Sequence, residues 1–281
     1  MSEEKLNSNQ LRRLKQAQMQ RKIRQSQRRL SRLRVLYKLF LIFATIFLIF
    51  YILKMPQWRL SSDAFDKLNN PALEILNNHI VPEQKILSAL RRNQVPKQPI
   101  FMVKTDDLKK SITQLEPIQN VYIRRFWFPA RLQIIILERT PIVTISPNLE
   151  APPIAFFSAD GKLIGREYMP LSDDYKTVLV ITYGSGDDYR NWDVNKVKNF
   201  KKLADLIEAE TGETVEYIDY RNPKDIYVKI PTATVRLGSF NPSVFSKIGR
   251  LPSLLPQVKM INKKVKYIDL RWDSNYIKLD E

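Results

Sequence analysis

The longest predominantly hydrophobic stretch of the chain runs from Val35 to Met55. Residues 39–53 carry no charged side chain, and Lys38 can extend its ammonium group to a membrane surface. An α-helix needs about 20 apolar residues to cross a bilayer. A buried core helix or a cleaved signal peptide is the alternative, but 34 residues precede this stretch and no small-residue cleavage site follows it. The pattern predicts an uncleaved transmembrane helix at residues 35–55.

Beyond the anchor, polar residues 56–71 predict a linker. Ala72–Leu76 predicts a short strand, and Pro82–Asn93 predicts a helix because proline suits its start and arginines suit its end. A second helix is expected to begin after Thr105, whose side chain can cap the helix N-terminus, and to end at Pro117. Asp106 and Asp107 then lie in its first turn.

The stretch RRFWFPARLQIIILERTP, residues 124–141, predicts a β-hairpin. Apolar and polar residues alternate before the aromatic-proline turn, and apolar residues recur after it with the period of two that is typical of a strand. Ile135 and Leu137 make the second face of that strand apolar, so this face is also a candidate for burial. The order β-α-α-β-β within residues 72–141 predicts a small sheet with both helices on one face.

Residues 142–281 predict a mostly antiparallel β domain with helices. Asp160–Gly161 between apolar runs predicts a hairpin turn. Residues 194–212 predict a long helix that stops at Gly212, and three alternating runs between residues 214 and 238 predict a meander. Residues 242–257 predict one helix that is broken at Pro252.

The end of the chain predicts a final pair of strands. Ile268, Leu270 and Trp272 share one face by their spacing, and a turn at Asp273–Asn275 leads to a last strand at Tyr276–Leu279. The overall fold class is therefore α+β, with one transmembrane helix followed by two folded domains.

The net charge of +17 is concentrated at the N-terminus. Residues 1–34 hold eleven Lys and Arg residues against two acids, a net charge of +9. Such an arm can bind nucleic acid or anionic lipid, and the hydrophobic stretch that follows favours lipid. The positive-inside rule then places the arm in the cytoplasm and residues 56–281 across the membrane, where nucleic acid is not expected as a partner.

The sequence offers little material for catalysis. It has no cysteine, and its one histidine, His79, is interpreted as a solvated loop residue. No phosphate-binding loop, serine-nucleophile motif or zinc-binding motif occurs, so we expect no cofactor and no metal. Asp173–Asp174 and Asp187–Asp188 are interpreted as solvated turns, although a hydrolase that uses two carboxylates remains an alternative.

The stretch VYIRRFWFPARLQIIILERTPIV, which follows a single anchor and two predicted helices, resembles the POTRA domain of the FtsQ (DivIB) family of bacterial division proteins. The lead-in MPQWRLSS and the aromatic-proline turn are most similar to cyanobacterial members. The chain departs from the family at Asn77–Asn78, where glycine-asparagine is usual, and asparagine tolerates the left-handed backbone that glycine adopts.

The C-terminal run Asp269–Leu270–Arg271–Trp272 resembles the DLRY strand of the same family, with tryptophan in place of tyrosine. The resemblance implies that the last strand pair binds the small anchored partners FtsB and FtsL. The implied partner-binding residues are Arg271, Trp272, Ser274, Asn275 and Tyr276. Packing of Trp272 and Tyr276 inside the β domain is the competing interpretation.

The resemblance implies a bitopic scaffold without catalysis that coordinates septal cell-wall synthesis. It would lie in the cell inner membrane at the division septum, with its C-terminal domains in the periplasm, and its POTRA domain would contact further division proteins. The alternative is a signal-anchored cell-wall hydrolase or another exported envelope enzyme. A POTRA-bearing transporter would need a long barrel, for which the remaining sequence is too short.

Overall fold

The computed structural model describes residue 19 and residues 33–183, 187–272, 274 and 276–280. The chain divides into two compact units, residues 1–59 and residues 60–281. Apart from Met19, Leu33 and Arg34, the predicted basic arm lies outside the described residues.

The first unit contains one long apolar helix, α1, at Leu33–Lys54. Its mean hydropathy reaches 2.4, and none of its most apolar window is buried, so it does not serve as a core helix. Pro56–Trp58 follows as a short 3-10 turn, and the indole Nε1 of Trp58 donates a hydrogen bond to the carbonyl oxygen of Ile52 at 2.7 Å. Length and composition suit α1 to a single membrane crossing.

The second unit begins with a sheet of order β1-β3-β2. Strand β1 runs parallel to β3, and β2 and β3 form the antiparallel hairpin that the sequence predicts. Together with two helices these strands give the predicted order β-α-α-β-β. The elements are β1 at Leu73–Leu76, α2 at Glu83–Arg91, α3 at Asp106–Thr113, β2 at Ile118–Phe126 and β3 at Arg131–Glu138.

Both helices bury one face against this sheet. The buried residues recur at helical spacing in α2 and again as Leu108 and Ile112 in α3. The prediction that Thr105 caps α3 is wrong, because its backbone is already helical and its side chain makes no cap hydrogen bond. Asn77 adopts a positive φ of 62°, as the expected left-handed turn after β1 requires.

The outer face of the small sheet is open. The second face of β3 was a candidate for burial, but Ile135 on this face is only half-buried and Leu137 is exposed. The two helices that could cover it pack together on the other face.

The predicted linker is only partly a linker. Leu60, Ala64 and Phe65 are buried in the same core as α2 and α3. Arg91 at the end of α2 donates to the carbonyl oxygens of Phe65 at 3.0 Å and Asp66 at 2.5 Å. Leu60, Ala64 and Phe65 were not predicted to be buried, because residues 56–71 are mostly polar. They extend the folded unit in sequence to Leu60.

A mixed sheet fills the rest of the second unit. Within the described residues its strands lie in the order β12-β11-β10-β9-β8-β7-β4-β5-β6. Most neighbours are antiparallel, as predicted, while β4 and β8 flank β7 in parallel and β10 is parallel to β11. The strands are β4 at Pro141–Ser146, β5 at Ala155–Ser158, β6 at Leu163–Gly165, β7 at Val178–Ile181, β8 at Tyr217–Asp219, β9 at Ile226–Lys229, β10 at Thr234–Gly238, β11 at Val265–Asp269 and β12 at Tyr276–Leu279.

Three helices cover one face of this sheet: α4 at Val194–Thr211, α5 at Ser243–Ile248 and α6 at Leu251–Met260. Gly212 ends α4 in the left-handed conformation, as predicted. The predicted break at Pro252 is wrong. The break lies at Gly249–Arg250. Pro252 lies in the first turn of α6, where a backbone N–H has no intrahelical partner, so its absence in proline removes no helical hydrogen bond.

The two sheets of the second unit share a buried core. Phe156, Ile164 and Tyr168 of the second sheet region belong to the same buried cluster as α2 and α3. Lys85 of α2 lies 3.8 Å from the centre of the Tyr168 ring and donates to the carbonyl oxygen of Glu167 at 3.2 Å. The two sheets are therefore joined by a common cluster of buried apolar side chains.

The Glu-Arg-Thr-Pro motif that ends the hairpin forms the joint between the domains. The Glu138 carboxylate accepts hydrogen bonds from the backbone N–H groups of His79 at 2.9 Å, Ile80 at 2.8 Å and Val81 at 2.8 Å. These bonds fix the loop between β1 and α2. Three backbone donors satisfy the lone pairs of a carboxylate well.

The next residue of the motif, Arg139, contacts the β5–β6 turn of the second sheet. Arg139 forms an ion pair with Asp160 in the β5–β6 turn and donates to the carbonyl oxygen of Glu116 at 3.0 Å. The backbone adds a hydrogen bond of 2.9 Å from Ala159 to the carbonyl of Thr140. Glu138 and Arg139 thus have structural roles on either side of the joint.

We expect Glu138→Gln to destabilise the folded region by about 1–3 kcal/mol, because an amide places donors against the three backbone N–H groups. Thermal unfolding of the full chain in detergent measures the loss. Glu150→Gln, in an exposed loop, is the matched control. Equal transition temperatures for Glu138→Gln and the control would contradict this role.

Candidate partner-binding site

Strand β12 lies at the edge of the nine-stranded sheet. Within the described residues it pairs with β11 alone, antiparallel, with Ile277 opposite Ile268 and Tyr276 opposite Asp269. An edge strand presents backbone N–H and C=O groups that another extended segment can use. The edge also has a defined surface beside it.

A row of paired residues crosses the sheet next to this edge. Tyr276 lies opposite Asp269, Asp269 opposite Arg236, and the row continues through Tyr227 to Asp219. Directly paired residues share one face of a sheet. This face is opposite the one that α4, α5 and α6 cover, because the neighbouring residues Val235 and Ile268 belong to the helix-covered core.

Arg236 organises the centre of this face. Its guanidinium donates to both carboxylate oxygens of Asp225, at 2.9 and 2.5 Å, and lies 3.8 Å from the carboxylate of Asp269. It also lies between two tyrosine rings, 5.5 Å from the centre of Tyr227 and 5.4 Å from that of Tyr267. The network holds aromatic and charged side chains rigidly across β9, β10 and β11.

Arg271 extends the network to the end of β11. Its guanidinium makes a two-point contact with Asp269, at 3.0 Å from Nε and 2.8 Å from the terminal nitrogen. Burial tends to raise the pKa of Asp269, but the hydrogen bonds from Arg271 outweigh this effect and lower it. The aliphatic part of Arg271 packs on Gly238, where an added Cβ would lie 3.1 Å from Cγ of the arginine.

Trp272 is exposed, and its expected position on a shared strand face is wrong. Ile268 and Leu270 are fully buried, but β11 ends at Asp269 and the Trp272 side chain is 59% exposed. Lys247 donates to the carbonyl oxygen of Arg271 at 3.0 Å, and Arg250 donates to that of Trp272 at 2.8 Å. These bonds from the α5–α6 region hold the backbone where it leaves the strand.

Two of the remaining predicted residues, Ser274 and Tyr276, are described and exposed. Ser274 is exposed, and Tyr276 is 58% exposed at the start of β12. Asn275 and its neighbour Asp273 lie outside the described residues. The structure therefore brings Arg271, Trp272 and Tyr276 to one corner of the sheet, and the interpretation of both aromatics as core residues is wrong.

Sequence reasoning missed Arg236, Asp225, Tyr227 and Tyr267. Polar and aromatic residues alternate with aliphatic ones in the sequences of β9 and β10 and at the end of β11. This period of two was the available sequence signal. The neighbour relationship was not available, because β10 and β11 pair in parallel across the intervening helices α5 and α6.

The residues considered for catalysis have structural roles. Asp187, interpreted from sequence as a solvated turn residue, accepts hydrogen bonds from Tyr220 at 2.6 Å and Trp192 at 3.1 Å and pairs with Lys196. Burial tends to raise the pKa of Asp187, and the hydrogen bonds from Lys196 and Tyr220 lower it overall. His79 is exposed and contributes its backbone N–H to Glu138.

An apolar single-helix anchor, a POTRA-like β-α-α-β-β domain and a β-rich region with an open edge define an anchored POTRA protein. Residues 71–139 match the family model described as "POTRA domain, FtsQ-type". The chain thus carries an FtsQ-type POTRA domain, and the match supports a protein of the FtsQ/DivIB family, as the resemblance implied. No curated protein matches the chain.

The FtsQ-type POTRA family is one of non-enzymatic scaffolds, and the domain supports a division-related scaffold role. The single apolar helix is consistent with a single-pass membrane division protein. The family match covers residues 71–139, which form the small sheet and its helices, and does not include β12. A role for the β12 edge therefore has to be argued from its geometry.

We expect Trp272→Ala to leave the stability of the fold unchanged, because the side chain is mostly solvated. Trp192→Ala should cost about 3–5 kcal/mol, since that indole is 6% exposed, stacks on Phe157 and packs against the tilted ring of Phe200. Chemical denaturation of the full chain compares the two variants. A large loss for Trp272→Ala would place its side chain in the core after all.

The pairing of Asp269 with Arg271 should be sensitive to acid. The lowered pKa means that the pair stabilises the folded state fully above the ordinary value of 3.8, and that this contribution is lost as the pH falls through the folded-state pKa. Asp269→Asn should therefore lower the unfolding temperature at neutral pH and differ less from the unaltered protein at about pH 3.

Asp173→Asn, which alters an exposed aspartate, is the control for that comparison. A pH-independent difference between Asp269→Asn and the unaltered protein would show that the charge of Asp269 does not stabilise the fold.

Proposed function

We propose that this protein is a bitopic scaffold of the bacterial divisome whose β11–β12 corner binds FtsB- and FtsL-like partners. The observation that carries the proposal is the edge position of β12, with exposed Trp272 and Tyr276 beside it. Through these partners the protein coordinates septal cell-wall synthesis without performing catalysis itself.

Strand addition supplies the binding mode. An extended segment of a partner pairs with the outer side of β12, and main-chain hydrogen bonds provide affinity that depends little on sequence. Side chains beside the edge provide selectivity, and large aromatic residues together with arginine are the usual anchors of protein interfaces. Trp272, Ser274, Asn275 and Tyr276 are the proposed contacts, next to the guanidinium of Arg271.

The rigidity of the corner favours binding. Asp269 fixes the Arg271 guanidinium by two hydrogen bonds, and Arg250 fixes the backbone at Trp272. Side chains that are already ordered lose less conformational entropy when a partner arrives. A preformed strand edge beside a preformed arginine therefore suits an adhesive role.

The proposed orientation follows from charge. The eleven basic residues within residues 1–34 keep the N-terminal arm in the cytoplasm, so both folded domains lie in the periplasm of a cell with an inner membrane. The domain boundaries we propose are the arm at 1–34, the anchor at 35–55, the POTRA domain up to residue 141 and the β domain from 142 to 281. Other division proteins would contact the POTRA domain, and the protein would concentrate at the septum.

We expect truncation after Arg271 to abolish co-purification of FtsB- and FtsL-like proteins while the shortened chain still inserts into the membrane. The truncation removes β12 and leaves β11 as the new edge. Affinity purification of tagged full-length and truncated proteins from membranes measures the partners retained.

The double variant Trp272→Ala/Tyr276→Ala separates loss of contact from loss of fold, because both side chains are exposed. It should lower partner recovery at least tenfold with an unchanged unfolding temperature. Leu149→Ala/Met260→Ala removes exposed apolar side chains elsewhere and should have no effect. Undiminished recovery with the truncated chain would refute strand docking.

A further inference from the structure

The tip of the β2–β3 hairpin exposes two large aromatic side chains at adjacent positions. Trp127 is 63% exposed and Phe128 is 57% exposed, and both project from the turn at residues 127–130. Phe126, just before the turn, is also partly exposed. Aromatic residues of this size normally bury more of their surface in a folded domain.

The charged side chains of the hairpin itself have a single sign, although Glu74 and Glu83 line the depression beside Phe126 and Arg131. Residues 118–137 contain three arginines and no acidic residue. All three, Arg124, Arg125 and Arg131, are exposed. Arg131 lies 5.1 Å from the centre of the Phe126 ring, and Arg125 donates to the carbonyl oxygen of Val103 at 2.8 Å, so the basic groups are held close to the aromatic turn.

The topology places this tip at the end of the domain where the chain enters it. Strand β1 starts with Leu73 opposite Leu132, one residue after β3 leaves the turn. Asn69 and Pro71 of the entering segment line the same surface depression as Phe126 and Arg131. The folded unit therefore receives its N-terminal segment beside the tip.

The covalent chain limits the distance between this entry and a bilayer. Five residues, 55–59, separate the end of α1 from Leu60, the first residue of the folded unit. An extended chain spans at most about 3.5 Å per residue, so this connection reaches roughly 20 Å. Leu60 therefore lies no more than roughly 20 Å from the end of α1, and Asn69, beside the tip, follows nine residues later.

We infer that the hairpin tip is a membrane contact. Trp127 and Phe128 enter the headgroup region of the leaflet in which α1 ends, and Arg124 and Arg131 bind its anionic phospholipid headgroups. Amphipathic aromatic rings favour the membrane–water interface, and arginines next to it are attracted by anionic lipid. This inference is independent of the proposed partner site, which lies in the other sheet.

The charge pattern and the tether favour lipid over a protein as the occupant. An aromatic hairpin tip that carries three arginines and no acidic residue of its own complements an anionic surface of any detailed shape. The chain also supplies that surface at high effective concentration, since its own anchor cannot leave the membrane.

The test uses the full-length protein reconstituted in vesicles, with no other protein present. The chain has no cysteine, so Trp127→Cys gives one site for a nitroxide label, and Leu149→Cys gives a control label in an exposed loop of the β domain. Collision rates with oxygen and with a water-soluble nickel chelate report whether each label lies in lipid or in water.

In vesicles of phosphatidylcholine with phosphatidylglycerol, the ratio of oxygen to nickel collisions should be severalfold higher at position 127 than at position 149. Adding Arg124→Gln/Arg131→Gln should return the label at position 127 to water. Lys263→Gln/Lys266→Gln removes the same charge from exposed sites of the β domain and should leave the label immersed.

Intrinsic fluorescence avoids altering the aromatic turn. Lipids brominated near the headgroup should quench the unaltered protein more than Trp127→Phe, and the difference isolates the indole at the tip. A label at position 127 that is as accessible to nickel as the loop control, together with no Trp127-dependent quenching, would overturn the inference.

Two further outcomes are decisive. Immersion that is equal in pure phosphatidylcholine and in the anionic mixture would refute the role assigned to the arginines. A label that is aqueous in vesicles but shielded in native membranes would show that a protein, and not lipid, covers the tip.

Discussion

Two adjacent residues, Glu138 and Arg139, fix the boundary between the two sheets of the second unit. Glu138 ends the POTRA hairpin and binds three consecutive backbone N–H groups of the β1–α2 loop. Its neighbour Arg139 pairs with Asp160, across the boundary in the β5–β6 turn. Because β4 starts at Pro141, the position of the whole second sheet follows from how this short motif is fixed. Sequence resemblance finds the motif, and the structure gives its physical reason.

Elements with local signals were predictable. The hairpin, the helices at Glu83–Arg91 and Val194–Thr211 and the meander were readable from periodicity, because neighbours in sequence are also neighbours in space there. The contribution of Leu60 and Phe65 to the core was not readable, since their apolar side chains stand in a polar segment. Their burial depends on α2, which begins at Glu83 and is therefore not a sequence neighbour of either residue.

The candidate site divides in the same way. Tyr276 and Arg271 were found through a resemblance at the C-terminal strands, whereas Arg236 was missed because its partners come from the start of β9 and from β11, which is distant in sequence. The expected burial of Trp272 was wrong for a local reason. Strand periodicity assigns residue 272 to the inner face, but β11 ends at Asp269, whose carboxylate binds the backbone and side chain of Arg271 and turns the chain outward.

The position of β12 has a consequence for the timing of biogenesis. This strand is the last in chain order, and it completes the sheet by pairing with β11. A polypeptide that is threaded across a membrane from its N-terminus delivers these residues after all the other strands. If the two folded domains are exported, as proposed, then partner binding at this edge requires β12, Tyr276–Leu279, to have crossed the membrane.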